Sequence, residues 1–243
     1  MTASNISLSL ALIVKNEARC LARCLRSVRG EVDEIVVVDT GSVDDTARIA
    51  RGFQAKVANF TWVDDFAAAR NFALAQTTRD WILVLDADEH ASPALAAELR
   101  SFIANRPAIG RLKIVSDFRR NNQTMRSQAF VSRLFPRGAH FEGRIHEQLV
   151  SALPRLDLQG ELWHDGYLEP TKSERNMRLL EQELKRSPGG VYLGFQLALE
   201  HASLNQTAEA LACLRPAYAA LRTDEPFAAN LVVDYLYALR ELR

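Results

Sequence analysis

Three stretches of the chain are apolar almost from end to end: LSLALIV at 8–14, EIVVVD at 34–39 and WILVL at 81–85. A strand with one face in water alternates apolar and polar residues, so runs of this kind belong to strands buried on both faces. Helical patterns lie between them. Leu21, Leu25 and Val28 recur at helical spacing, and Ser42 with Asp45 has capping-box spacing for a helix continuing through Ile49. AKVANF reads as a short third strand, and Asp65 is placed to cap a helix carrying Phe66, Ala69, Phe72 and Ala73. This alternation predicts an α/β fold with a mostly parallel sheet covered by helices on both faces.

In such sheets ligands gather where strands end at their carboxyl edge. Asn16 and Glu17 follow the first run, Asp39 ends the second, and Asp86 and Asp88 follow the third. The last corner, DADE, puts Asp86, Asp88 and Glu89 within four positions. Like charges repel at this range and are costly to bury unpaired, so a compensating group is required, and a divalent cation is the simplest candidate. Asp86 and Asp88 have D-x-D spacing, and hard carboxylate oxygens suit Mg²⁺ or Mn²⁺, which can also bind a diphosphate.

Ser92-Pro93 reads as an N-cap and first-turn proline for a helix to Asn105. The middle is strand-like in RLKIVSDF, QAFVSRLF and LDLQGELW, with a polar loop expected around Arg119, Arg120, Asn121 and Asn122. From Thr171, which has capping-box spacing to Glu174, the pattern is helical: about four helices, with a tetratricopeptide-like hairpin over 190–221 that includes Gly194 and Ala210. The expected organisation is a domain over 1–170 and an α-helical extension over 171–243. The apolar helical pattern continues to Arg243, as it would in a fragment of a longer solenoid.

A formal net charge of zero, without long blocks of one sign, argues against sequence-independent nucleic-acid binding. The N-terminal apolar run stops at Lys15 and lacks a basic leader, and no segment approaches the ~18 apolar residues of a membrane span. Cys20, Cys24 and Cys213 are too few for a disulfide framework; Cys20 and Cys24 read as thiols sharing one helix face in a reducing cytoplasm. The expected location is cytoplasmic, with peripheral association at the inner face of the membrane or a protein partner reached through the helical tail.

Taken together, ALIVKNE, EIVVVDTGSVDDT, WVDDFAAARNFAL and DWILVLDADE resemble the inverting glycosyltransferases of family 2, and SRLF, FEGRIHE and LWHDGY extend the resemblance to Tyr167. The subgroup most similar includes lipopolysaccharide-core glucosyltransferases and peptide glycosyltransferases with helical C-terminal extensions. The resemblance implies the GT-A fold, a nucleotide diphosphate sugar donor, UDP-linked, and Mn²⁺ or Mg²⁺. Carried over by residue, Asn16 and Glu17 would line the nucleotide pocket, Asp39 would face base and ribose, and Arg70 would approach the nucleotide or diphosphate. Asp86 would lie near the ribose and Asp88 would ligate the metal. Glu147 would be the general base, His164 would complete the metal or diphosphate shell, and His146 would orient Glu147 or contact the acceptor. Many relatives carry a second acid where this chain has Thr40, which leaves the base preference open.

Blander readings stand beside these roles. Glu147 reads equally as an exposed acid at a helix start, and Asp64 and Asp65 as helix-capping groups. Asn71 reads as a tie between loops, and Trp62 and Trp163 as core or rim packing or as stacking surfaces for a sugar or base. His90, His140 and His201 carry no functional signal. A nicotinamide-dependent oxidoreductase would need G-x-G-x-x-G after the first strand, where this chain has KNEARC. A degenerate transferase domain acting as a scaffold through its helical tail is the remaining alternative. The acceptor, a glycan, a lipid-linked sugar or a peptide, is not specified by the spacing.

Overall fold

In the computed structural model, the described residues are 6–105, 107–120, 123–164, 171–187 and 189–242. Asn121, Asn122, the Thr171 side chain and residues 165–167 of the last motif lie outside them.

The three long apolar runs form β1 (Leu8–Val14), β2 (Glu34–Asp39) and β4 (Trp81–Val84), with β3 (Lys56–Asn59) outside β2. Between them stand α1 (Leu21–Val28), α2 (Thr46–Gly52) and α3 (Phe66–Gln76). Next follow β5 (Glu89–Ala91), α4 (Pro93–Asn105), β6 (Ile109–Arg120) and β7 (Gln123–Pro136). β8 (His140–Glu142), β9 (Gln148–Val150) and β10 (Arg155–His164) complete the strands. Eight strands join in the order β3-β2-β1-β4-β7-β6-β10-β5, and β8 pairs separately with β9. From β3 to β4 every pairing is parallel; β7 runs antiparallel to β4 and β6, and β10 returns parallel to β6.

Alternation along β1 explains why both faces are covered. Leu8, Leu10, Leu12 and Val14 pack with Leu21, Cys24, Leu25 and Val28 of α1, together with Leu95 and Leu99 of α4. Ala11, between them, faces Val36, Val38, Ile82 and Val84 with Ala67, Ala73 and Leu74 of α3. Cys20 and Cys24 are buried on one face, as their spacing predicts. Burial, with Glu17 close by, pushes the Cys20 thiol up to about 12, and burial raises Cys24 well above its usual value, so both thiols resist ionisation.

Local caps agree in part. The Asp65 carboxylate accepts from Ala68 N at the start of α3, and the Ser92 hydroxyl accepts from Leu95 N at the start of α4. The expected Ser42–Asp45 capping box is not formed. Asp44 accepts from Thr46 N at 3.0 Å, while Asp45 pairs with Arg48. Ser42 is thereby available to the adjacent loop, where its hydroxyl accepts from Asn16 N at 2.9 Å. Of the polar loop expected at 119–122, Arg119 and Arg120 belong to β6. They remain in register with Thr124 and Gln123, because the ladder of β6 and β7 extends that far.

Contacts divide the chain into two compact units, residues 1–143 with 147–168, and residues 144–146 with 169–243. The second unit holds α5 (Thr171–Arg186), α6 (Val191–Ser203), α7 (Thr207–Ala219) and α8 (Ala228–Glu241). Its core is formed by Phe195, Ala198, Ala210, Leu211, Leu214, Ala217, Leu231 and Ala238. Gly194 faces α7, where a methyl group would lie 3.6 Å from the Ala217 Cβ.

Candidate active site

The parallel strands deliver their C-terminal residues to one edge. Val14 is in register with Asp39, so the corners after β1 and β2 are adjacent. Asn16 adopts φ 56°, and its side-chain oxygen accepts from Val43 N at 2.8 Å. Glu17 N donates to the Thr46 hydroxyl at 2.8 Å. Buried Asp39 accepts through Oδ1 from Gly41 N at 2.9 Å and Ser42 N at 2.7 Å. Gly41, at φ 108°, permits this turn, which a side chain would strain. The Thr40 hydroxyl donates to Val14 O at 3.1 Å, which binds this side chain to the strand backbone.

The crowded carboxylates of DADE are compensated by arginines brought from distant elements. Asp86 accepts from Arg70 Nη2 at 2.8 Å through Oδ1 and from Arg133 Nη2 at 2.7 Å through Oδ2. Arg133 Nη2 also donates to Glu89 Oε1 at 2.9 Å, and Glu89 Oε2 accepts from Asp86 N at 2.8 Å. Arg70 Nε donates to Glu147, and its guanidinium lies over the Phe141 ring at 5.6 Å. These contacts form a continuous chain, Glu147–Arg70–Asp86–Arg133–Glu89. Arg70 and Arg133 are 6% and 8% exposed, so both guanidinium groups act in a largely dry setting where each pair is strong and each loss costly.

Burial opposes ionisation of Asp86, but Arg133 and Arg70 outweigh it and hold this carboxyl well below the usual range. For Glu89 burial prevails over Arg133 and pushes the carboxyl up to about 7. Arg70 is also desolvated, yet Asp86 and Glu147 raise it above the ordinary arginine value. Glu147 precedes β9 in an irregular segment and its side chain is 11% exposed, which removes the reading of an exposed helix-start acid.

Asp88 is buried beside His164, with Oδ1 3.5 Å from Nε2. The pairing of β5 with β10 accounts for this meeting, since Glu89 is in register with His164. On the other side β6 places Ser116 opposite His164, and the Ser116 hydroxyl lies 3.1 Å from Nδ1. Burial lowers the His164 pKa, but the bond to Asp88 prevails and raises it. The pair supplies one carboxylate and one imidazole nitrogen, with the second imidazole nitrogen held by a hydroxyl, as metal-binding histidines commonly are. Among the described residues no group of three His, Cys, Asp or Glu side chains is arranged to hold a metal. Two protein ligands suit a cation whose remaining positions are filled by phosphate oxygens and water.

Other sequence expectations resolve simply. Asn71 exchanges two hydrogen bonds with the Phe141 backbone and so ties α3 to β8. Trp62 donates to Asp64 at 2.8 Å and packs edge-on to Phe66. Trp163 is 39% exposed and lies edge-on to His90. His146 belongs to the second unit, where its ring lies edge-on to Tyr192 at 6.3 Å. Sequence reasoning missed Arg133 and Ser116 and did not foresee that Glu89 would be tied to Arg133. An arginine placed between Ser132 and Leu134 in an otherwise apolar strand end was the available signal, because the DADE carboxylates needed cations that their own segment lacks.

The sequence profile of glycosyl transferase family 2 matches residues 9–152. A TPR repeat-containing protein of Synechococcus elongatus is 37% identical over 209 residues, covering 79% of this chain and 51% of that protein. An uncharacterized glycosyltransferase of Rickettsia felis is 41% identical over 98 residues, covering 40% of this chain and 34% of its own length. The chain therefore spans about half the first relative and a third of the second. Among solved structures, S. aureus TarS 1–349 in complex with UDP-GlcNAc matches at TM-score 0.50 and 14% identity, covering 97% of this chain and 90% of that one. That match concerns the fold, which is of the GT-A type. With the profile extending over more than half of its residues, the chain belongs to glycosyl transferase family 2.

Proposed function

We propose that the chain transfers a sugar, with inversion, from a nucleotide diphosphate sugar, UDP-linked, to a glycan, lipid-linked or peptide acceptor. The observation that carries this reading is the meeting of Asp88 with His164 at the outlet of β4, on the same carboxyl edge as Asp39. Asp39 uses Oδ1 to hold its own turn, and Oδ2 is the atom assigned to the nucleoside. Asn16 and Glu17 line the neighbouring corner. Asp86, neutralised by Arg70 and Arg133, would face the ribose side. Asp88 and His164 would hold Mn²⁺ or Mg²⁺, which supplies Lewis-acid stabilisation of the departing diphosphate when bound.

Glu147 is the assigned general base, accepting the acceptor's proton as its oxygen attacks the anomeric carbon from the face opposite the diphosphate. Arg70, bonded to both Glu147 and Asp86, fixes the base relative to the donor side. Its remaining terminal nitrogen, Nη1, is buried without a hydrogen-bond partner among the described residues and is the atom available to a phosphate. Residues 1–170 are assigned to catalysis and 171–243 to a tetratricopeptide-like extension that recruits an acceptor or partner, with His146 on the acceptor side. Among the described residues no helix is long and apolar enough to cross a membrane, and a cytoplasmic enzyme working at the inner membrane face is the setting proposed.

The test is NMR observation of UDP-glucose and UDP-GlcNAc incubated with the chain and Mn²⁺, water serving as a slow acceptor. Release of UDP with initial formation of the β-anomer supports an inverting transferase. Release of the α-anomer refutes inversion. UDP binding without turnover, persisting when glycan, lipid-linked and peptide acceptors are supplied, would favour a scaffold over an enzyme.

A further inference from the structure

Within a chain of zero net charge, residues 18–30 contain four arginines and no acid. The four, Arg19, Arg23, Arg26 and Arg29, are spaced by four, three and three, and all are exposed. This spacing places them on one side of the α1 segment, opposite the buried Leu21, Cys24, Leu25 and Val28. Helix electrostatics explain only half of the row. Arg26 and Arg29 stand at the C-terminal end, where positive charge is favoured, but Arg19 and Arg23 stand at the N-terminal end, where it is opposed.

Several arginines elsewhere on the surface meet carboxylates. Arg48 meets Asp45 at 2.7 Å, Arg100 meets Asp33 at 2.9 Å, Arg186 meets Glu183 at 2.8 Å and Arg222 meets Asp224 at 3.0 Å. Arg26 and Arg29 have no carboxylate partner among the described residues. Each instead lies over the Phe53 ring at 5.8 Å, and exposed Arg51 of α2 is two positions before that ring. Like charges at three- and four-residue spacing destabilise a helix, so repulsion within the row is a cost to α1.

We propose that the arginine face of α1 docks the transferase unit on an anionic bilayer surface. Arg19 to Arg29 extends about 15 Å along the segment, and all four side chains are exposed. Laterally mobile acidic headgroups can meet such a row without a defined pocket, and each arginine near the surface adds to the attraction. This docking does not depend on the donor-site reading, so failure of either leaves the other intact.

The experiment is vesicle co-sedimentation of the full 243-residue chain, with neutral phosphatidylcholine vesicles and with vesicles containing about one-third phosphatidylglycerol. The expected result is binding only to the anionic vesicles, weakening as salt rises from about 0.05 M to about 0.5 M. Arg26→Gln with Arg29→Gln should weaken partition about 30-fold, corresponding to about 2 kcal/mol for two surface arginines, with melting temperature unchanged. The control, Arg48→Gln with Arg222→Gln, removes the same charge from paired sites and should retain most of the binding. Equal sedimentation with neutral vesicles, or equal loss in both double variants, overturns the proposal. Tighter binding to duplex DNA than to anionic vesicles also overturns it.

Discussion

Arg133→Met tests the arginine compensation of the DADE corner. The guanidinium is 8% exposed and bonds Asp86 at 2.7 Å and Glu89 at 2.9 Å. Removing one partner of a buried ion pair costs about 3–5 kcal/mol, mostly because the remaining charge is stranded. Asp86 retains Arg70 at 2.8 Å and Glu89 retains the Asp86 N–H at 2.8 Å, which places the expected loss near the lower bound, about 3 kcal/mol. Methionine fills much of the vacated volume, so a cavity adds little. Without Arg133 the Glu89 carboxyl, already raised to about 7, rises further and takes up a proton; Glu89→Gln mimics that neutral form, and the double variant should therefore lose less than the sum of the single changes, by about 1–2 kcal/mol. Urea unfolding followed by tryptophan fluorescence is the appropriate assay, since Trp62, Trp81 and Trp163 all belong to the first unit. A loss below about 1 kcal/mol, or strict additivity, would refute the compensation argument.

Three further outcomes follow from the same contacts. Gly160→Ala would place a methyl group 2.3 Å from the Leu95 Cα, so α4 must shift; a loss of about 3 kcal/mol is expected in the same unfolding assay, and wild-type stability would contradict the packing. Ser116→Ala releases His164 Nδ1 and should weaken Mn²⁺ affinity measured with UDP by about tenfold, with little change in melting temperature. For Glu34, burial acts against charge, but the Ser9 and Thr78 hydrogen bonds win and lower the carboxyl pKa. A depressed carboxyl contributes stability above its unfolded value near 4.5 and loses it as pH falls through the folded value. The melting temperature of Glu34→Gln should accordingly decline less than that of the wild type as pH falls below about 4.5, and parallel acid limbs would exclude this contribution.

What was legible in the sequence was mostly local or periodic. The apolar runs of β1, β2 and β4 and the four-residue spacings of α1 are visible because both sheet faces and one helix face must be dry. Asp65 and Ser92 were legible as caps because their partners are three residues away. Ser42 had the same spacing and was taken by Asn16, 26 positions earlier, which no local pattern discloses. Arg133 is 47 positions from Asp86, and Arg70 is 77 from Glu147, so neither pair is recorded in spacing. The three residues of β5 begin within the acidic corner, at Glu89, and are too few to show a strand pattern; only their pairing with β10 makes them a strand, and that pairing brings Asp88 to His164.

The most direct test of the account is calorimetric titration of UDP into the chain with and without Mn²⁺, for wild type and Asp88→Asn. The account predicts tight binding only when metal and wild-type Asp88 are both present, with the melting temperature of the ligand-free variant close to that of wild type. Metal-independent binding of equal strength in both proteins would contradict the assignment of the β4 outlet as a metal-dependent diphosphate site.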